Sequence, residues 1–172
     1  MPSIYPNEAW TAELRKGTRD LHHQLDTHPL MRTLTSQSFD FSEYQESLAF
    51  MSSIWAPFAQ RFLWARPLNR VLERECLVST REITLPPFND RTDELAWQYV
   101  MWGSTKGGRM LARHLQTHQA NEPALTLNFF KACADVGSFP DLIDRPASDC
   151  LDSARHVFEY WLYQAEQHQV TT

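Results

Sequence analysis

Apolar residues recur every three or four positions along most of this chain, the spacing that gathers them on one face of an α-helix. Trp10, Leu14, Thr18, Leu21 and Leu25 make the first such stripe. Asn7 is the expected N-cap, with Glu8 in the first turn, where a carboxylate suits the helix dipole. His28-Pro29 closes the stripe, because the residue before a proline is pushed out of the α region. A second helix is expected from near Ser42, with Gln45 completing a capping box. It carries Tyr44, Leu48, Met51, Trp55, Phe58 and Phe62, and Pro57 inside it predicts a kink or an unbonded carbonyl.

A shorter helix is expected from Pro67 to near Leu77, followed by an extended surface crossing over Ile83-Thr84-Leu85-Pro86-Pro87-Phe88. Asp90 or Thr92 can cap a third long helix bearing Leu95, Tyr99, Met101 and Trp102. That helix runs into Gly103-Ser104-Thr105-Lys106-Gly107-Gly108 and resumes from Arg109 to His118. Two more are expected, from Pro123 to near Gly137 and from near Pro146 through Ala165. Five glycines in 172 residues leave little scope for β-hairpin turns. The pattern therefore predicts a single all-α domain, residues 1–172, of six or seven helices.

Composition narrows the function classes. A net charge of -5 argues against a nucleic-acid partner, which calls for a basic face. No apolar run approaches the ~20 residues of a membrane span. The first residues show neither a basic nor an apolar segment of a secretory signal, so a cytoplasmic location is expected. Cys76, Cys133 and Cys150 are odd in number and far apart, which points to reduced core thiols and away from a disulfide frame or zinc site.

Two places carry candidate chemistry. On the first helix Arg15, His22 and Asp26 fall within about 40° of one another on the flank of the apolar stripe. A neutral imidazole there can ligate iron, a carboxylate one turn on can hold its other ring proton, and the arginine can meet an anionic group. His23 points the other way. The second place is the glycine run. Each interior glycine costs a helix about 1 kcal/mol relative to alanine. Three in six residues therefore need a reason: close approach of a flat ligand, a kink, an inter-helix loop, or tight helix packing. A phosphate loop fits poorly, since Lys106 precedes the glycine pair and no strand leads in.

These residues resemble the heme oxygenase family, in its bacterial form. Leu14 to His22 resembles the proximal helix, where a Thr-x-x-x-His pattern (Thr18 and His22 here) supplies the axial ligand. His28-Pro29-Leu30-Met31 continues that pattern, and Ile54-Trp55-Ala56-Pro57-Phe58 resembles the aromatic-x-Pro stretch of the second helix. Tyr99 to Arg109 resembles the distal signature Gly-Ser-x-x-Gly-Gly. The matches are collinear over residues 14–118.

The resemblance implies a helical bundle that holds heme between a proximal helix and a glycine-kinked distal helix. It implies heme as substrate and cofactor, cleaved with dioxygen and electrons from an external reductase or ferredoxin to biliverdin, carbon monoxide and ferrous iron. By it, His22 is the iron ligand, Asp26 its hydrogen-bonding support, Arg15 a propionate contact and Tyr99 a group near the heme edge. Gly103, Gly107 and Gly108 let the distal helix lie close over the porphyrin, and Ser104 takes the place where mammalian members carry a carboxylate. Lys131 and Arg109 are candidates for the second propionate. The pattern departs at Trp102, Lys106 and Ala59, and Trp102 could face the core or the heme space. A non-catalytic heme-binding or scaffold protein of the same fold is the alternative. A di-iron oxidase is a third reading, resting on the i, i+4 pairs Asp152/His156 and His114/His118.

Overall fold

The long C-terminal helix is the spine on which the rest is hung. In the computed structural model, which describes residues 4–171 and side chains through 168, the elements are α1 (Asn7–Thr27), α2 (Pro29–Arg32), a 3-10 turn (Thr33–Thr35), α3 (Phe41–Arg61), a second 3-10 turn (Leu63–Ala65), α4 (Arg66–Glu75), α5 (Arg91–Gln119), α6 (Asn128–Cys133) and α7 (Ala147–Thr171). Among the described residues there is no strand, and no helix is long and apolar enough to cross a membrane.

α1 runs parallel to α7. Trp10 donates its indole N–H to the Arg145 carbonyl at 3.0 Å, Arg155 reaches Asp20 and the Gly17 carbonyl, and His28 meets Glu166 at 3.1 Å. A Cβ on Gly17 would run into the Leu151 side chain, so this glycine is what lets the two backbones close up. α5 lies on the other flank of α7, where Ser153 donates to Asp93 at 2.7 Å and Trp97 meets Tyr160 edge-on at 5.5 Å. α3 passes through the middle. From Tyr44 to Ala59 almost every side chain is buried, and Trp55, Phe50 and Phe58 are fully enclosed.

The boundaries follow local chemistry, with three corrections to the sequence reading. The α3 cap is Asp40, which takes the Glu43 amide at 2.8 Å while Glu43 returns to the Asp40 amide at 2.9 Å. The box anticipated at Ser42 and Gln45 does not form. Gln45 instead turns inward, donating to the Glu75 carbonyl and accepting from the Leu77 amide. Pro6, not Asn7, stands at the N-cap of α1. The helix expected from Pro123 is only the six residues of α6, preceded by Leu127 in the left-handed region at φ 58. Its free amides are taken by a distant group: the buried Glu75 carboxylate accepts from Asn128 N at 3.0 Å, Phe129 N at 2.9 Å and the Thr126 hydroxyl.

Pro57 lies within an unbroken α3. α5 is likewise α-helical through every residue of Gly103–Gly108, so the glycines interrupt nothing. All three cysteines are free, and burial pushes the Cys133 thiol up to about 12.

The start of α5 is locked by Arg91, which bonds Asp141 at 2.8 Å, Asp144 at 3.0 Å and the Leu142 carbonyl at 2.7 Å. Burial alone would raise the Asp141 carboxyl, but hydrogen bonds from Arg91 and Gln98 outweigh it and hold the group below its ordinary value. Asp144 is lowered by its bond to Arg91. Carboxyls depressed in the folded state stabilise it above the unfolded value of about 3.9 and lose that contribution as pH falls through the folded value. Thermal melts should show Arg91→Met less stable than the parent at pH 7, with the gap closing as pH drops from about 4 toward 2. A gap constant with pH would refute this role for Arg91.

Candidate functional site

α1 and α5 both pack on α7 but meet each other through side chains. The meeting point is Tyr99, a buried residue whose ring stands edge-on to Trp10 at 5.9 Å. Burial pushes its phenol above the ordinary range, with Thr18 beside the hydroxyl and the Arg15 guanidinium acting in the opposite direction. Thr18 also donates back to the Leu14 carbonyl at 2.8 Å. Phe139 backs Trp10 at 5.2 Å and is itself met edge-on by Trp102 at 5.7 Å.

Beyond Tyr99 each helix turns an open face outward. On α1, His22 and Asp26 stand one turn apart with side chains 54% and 56% exposed, available to a ligand from outside the fold. His22 Nε2 lies 3.4 Å from Asp26 Oδ2, which leaves Nδ1 as its free nitrogen. Phe158 of α7 supports the imidazole from below, with ring centroids 5.5 Å apart. Arg15 is exposed on the same flank. The sequence missed Phe158 because it comes from the far end of the chain.

On α5, a Cβ added at Gly103 or Gly107 would meet nothing within 4 Å. Met110, 73% exposed, and His114 continue the same stripe at i+7 and i+11 from Gly103. This spacing was present in the sequence, and it separates the glycines into two kinds. Gly108 lies on the opposite side of α5, where a Cβ would come within 2.8 Å of Cys133 Sγ and 3.1 Å of its Cβ. Its smallness serves the α6 contact. Ser104 is exposed and, at about 60–100° from the two open glycines, off their face.

The departures noted in the sequence resolve as structural fastenings. Trp102 donates to the Gly137 carbonyl at 3.1 Å, and Lys106 donates to the Val136 and Gly137 carbonyls at 2.8 Å each, its ammonium 5.0 Å from the Trp102 ring. Burial lowers the Lys106 pKa. Both side chains thus belong to the connection between α6 and α7. Ala59 is buried, while Lys131 and Arg109 are exposed.

Of the histidine pairs, His114 and His118 lie 5.3 Å apart, with His114 on the Ser36 carbonyl and His118 against Phe39. Asp152 and His156 are exposed on α7. Among the described residues no three His, Cys, Asp or Glu side chains converge as a metal site, so the geometry lends a di-iron reading no support. Compared with protein-family models, characterised proteins and solved structures, the chain shows no significant match.

The glycine assignment has a direct check in single alanine variants. Gly103→Ala and Gly107→Ala should each raise stability by up to about 1 kcal/mol, the helix-propensity gain at an open position. Gly108→Ala should lower it by about 1–2 kcal/mol through overpacking against Cys133. Equal effects at all three positions in denaturant melts would show that the faces do not differ.

Proposed function

We propose that the open faces of α1 and α5 bind heme, and that the protein is a heme oxygenase. The observation that carries this reading is the bare backbone at Gly103 and Gly107, set on the helix that meets the His22 helix at Tyr99. A helix with two glycines on an open face gives up about 1 kcal/mol at each without gaining any packing there. Close approach of a flat ligand explains the expense. The sequence resemblance supplies the identity of that ligand.

The residues divide the work as follows. His22 would take the iron, through Nδ1 as it stands or through Nε2 after a ring flip that its exposure permits. Asp26 would hold the proton on the other nitrogen and fix the ring's orientation. Arg15 would meet a propionate. Tyr99 and Trp10 set the separation of the two helices, and the aromatic packing behind them keeps water from that end of the site. Gly103 and Gly107 would set bare backbone, with no side chain between, against the distal side of the ligand. Heme supplies the iron at which dioxygen is activated and the ring that is opened, and electrons come from an external reductase or ferredoxin.

A second reading, heme binding without turnover, is favoured by the position of Ser104. Its hydroxyl lies off the Gly103–Gly107 face, Lys106 is engaged with the Val136 and Gly137 carbonyls, and His114, further along the stripe, is held on the Ser36 carbonyl, so no polar side chain stands beside the two glycines on their face to organise distal water. One experiment separates these outcomes. Titration with hemin should give a Soret band that His22→Ala loses, and ascorbate or a reductase should then convert the complex to biliverdin with release of carbon monoxide. A band without turnover would establish the binding-only reading; no band would sink both.

The open face is tested separately by Gly107→Leu. This variant should fold with parental stability or better, yet bind hemin at least about tenfold more weakly, equivalent to ~1.4 kcal/mol. Unchanged affinity would remove the glycines from the site.

A further inference from the structure

The corner between α3 and α4 carries a surface of a different kind. α4 doubles back along α3: Arg66 donates its Nε–H to the Ala59 carbonyl at 3.2 Å, and Gln45, near the start of α3, donates to the Glu75 carbonyl at the end of α4. The 3-10 turn that joins them is therefore the tip of a helical hairpin. At that tip Leu63 is 69% exposed. Phe62 and Trp64, on either side of it, are half-buried. Phe62 stacks on Phe58 at 4.7 Å and on Phe88 at 5.8 Å. Trp64 spends its only polar side-chain atom on Gln98 Oε1 at 3.2 Å, so what it offers the surface is carbon.

A single exposed leucine is ordinary on a protein surface. The charges around this one are not. Residues 47–72 contain no aspartate or glutamate but three arginines, Arg61, Arg66 and Arg70, in a chain whose net charge is -5. All three are exposed and, among the described residues, none has a carboxylate within ion-pairing distance. Arg61 lies over the Phe88 ring at 4.3 Å with one N–H on the Pro86 carbonyl, and Arg66 is held on Ala59, so both stay beside the apolar tip with N–H groups to spare. The nearest carboxylates along the chain are occupied: Glu46 meets His168, Glu73 takes the Asn69 amide, and Asp90 caps α5. A protruding apolar turn set among unpaired guanidiniums suits the boundary between lipid headgroups and acyl chains, where carbon sinks and the cations stay level with phosphate. An acidic protein would satisfy the arginines, but a convex apolar tip calls for a surface that yields to it, as a fluid bilayer does.

We propose that the α3–α4 corner docks the protein reversibly on an anionic lipid surface. Leu63 enters the interface with the open edges of Phe62 and Trp64, and Arg61, Arg66 and Arg70 meet headgroup phosphates, which their guanidinium forks suit. The net negative charge of the chain as a whole opposes approach to an anionic surface, which confines the attachment to this corner. One leucine and three arginines make a weak, salt-sensitive contact and not a permanent anchor. This assignment is independent of the heme reading.

The test is co-sedimentation of the full chain with lipid vesicles. At about 0.05 M salt it should bind vesicles of equal parts phosphatidylcholine and phosphatidylglycerol and stay in solution with phosphatidylcholine alone. Raising the salt to about 0.5 M should weaken binding at least about tenfold. Leu63→Ser and Arg70→Gln, both at exposed positions, should each weaken it about fivefold. Leu77→Ser is the control: that leucine is 71% exposed, just past the other end of α4, and its loss should leave binding unchanged. Circular dichroism melts of each variant confirm that it is folded. Absence of binding to the anionic vesicles, equal binding to both vesicle types, or equal effects of Leu63→Ser and Leu77→Ser would each overturn the proposal. Binding to heparin, a polyanion without an apolar layer, together with none to vesicles would assign the arginines to an acidic macromolecule and overturn it as well.

Discussion

Tyr99 keeps α1 and α5 a side chain apart. With its ring edge-on to Trp10 and its hydroxyl beside Thr18, the two helices meet over a phenol and not over bare backbone. Each helix is also held to α7, α1 by Asp20 on Arg155 and by His28 just past its end, and α5 by Asp93 and Trp97. Fixed at three sides, they cannot collapse onto each other beyond the contact. Their open residues, His22 and Asp26 on one and Gly103, Gly107 and Met110 on the other, are left facing outward. The candidate site is thus a product of spacing more than of any single reactive group.

The glycines show how one residue type serves opposed ends. Gly17 and Gly108 are small because another helix leans on them, through Leu151 and Cys133 respectively. Gly103 and Gly107 are small with nothing leaning on them at all. In the first pair the lost helix propensity is offset by burial of neighbouring side chains. In the second it is offset by nothing among the described residues, and that imbalance is the clearest physical pointer to a ligand.

The helical stripes and most helix positions could be read from periodicity, since burial of one face is a local and repeated signal. The grouping of Arg15, His22 and Asp26 followed from helix geometry alone. What escaped was set by distant partners. Asp40-x-x-Glu43 and Ser42-x-x-Gln45 both fit a capping box, and the choice was made by Glu75 and Leu77, which draw Gln45 inward. Trp102 and Lys106 read only as departures from the family pattern, and Trp102 could face the core or the heme space, because their carbonyl acceptors lie some thirty residues downstream, at Val136 and Gly137. Gly108 read as a companion of Gly107, though one residue is a rotation of about 100° and moves it to another face.

The Glu75 cap has a consequence for the order of assembly. α6 has six residues, far below the ~12–15 at which an isolated helix is marginally stable in water. Its amides are satisfied by a carboxylate more than fifty residues earlier in the chain. It therefore has no existence as a local nucleus and forms only once α4 has docked. Gly108 rests against that same helix through Cys133 and Phe130. The second half of α5 thus acquires its final support late, and the chain closes on its non-local contacts after its long helices are already in place.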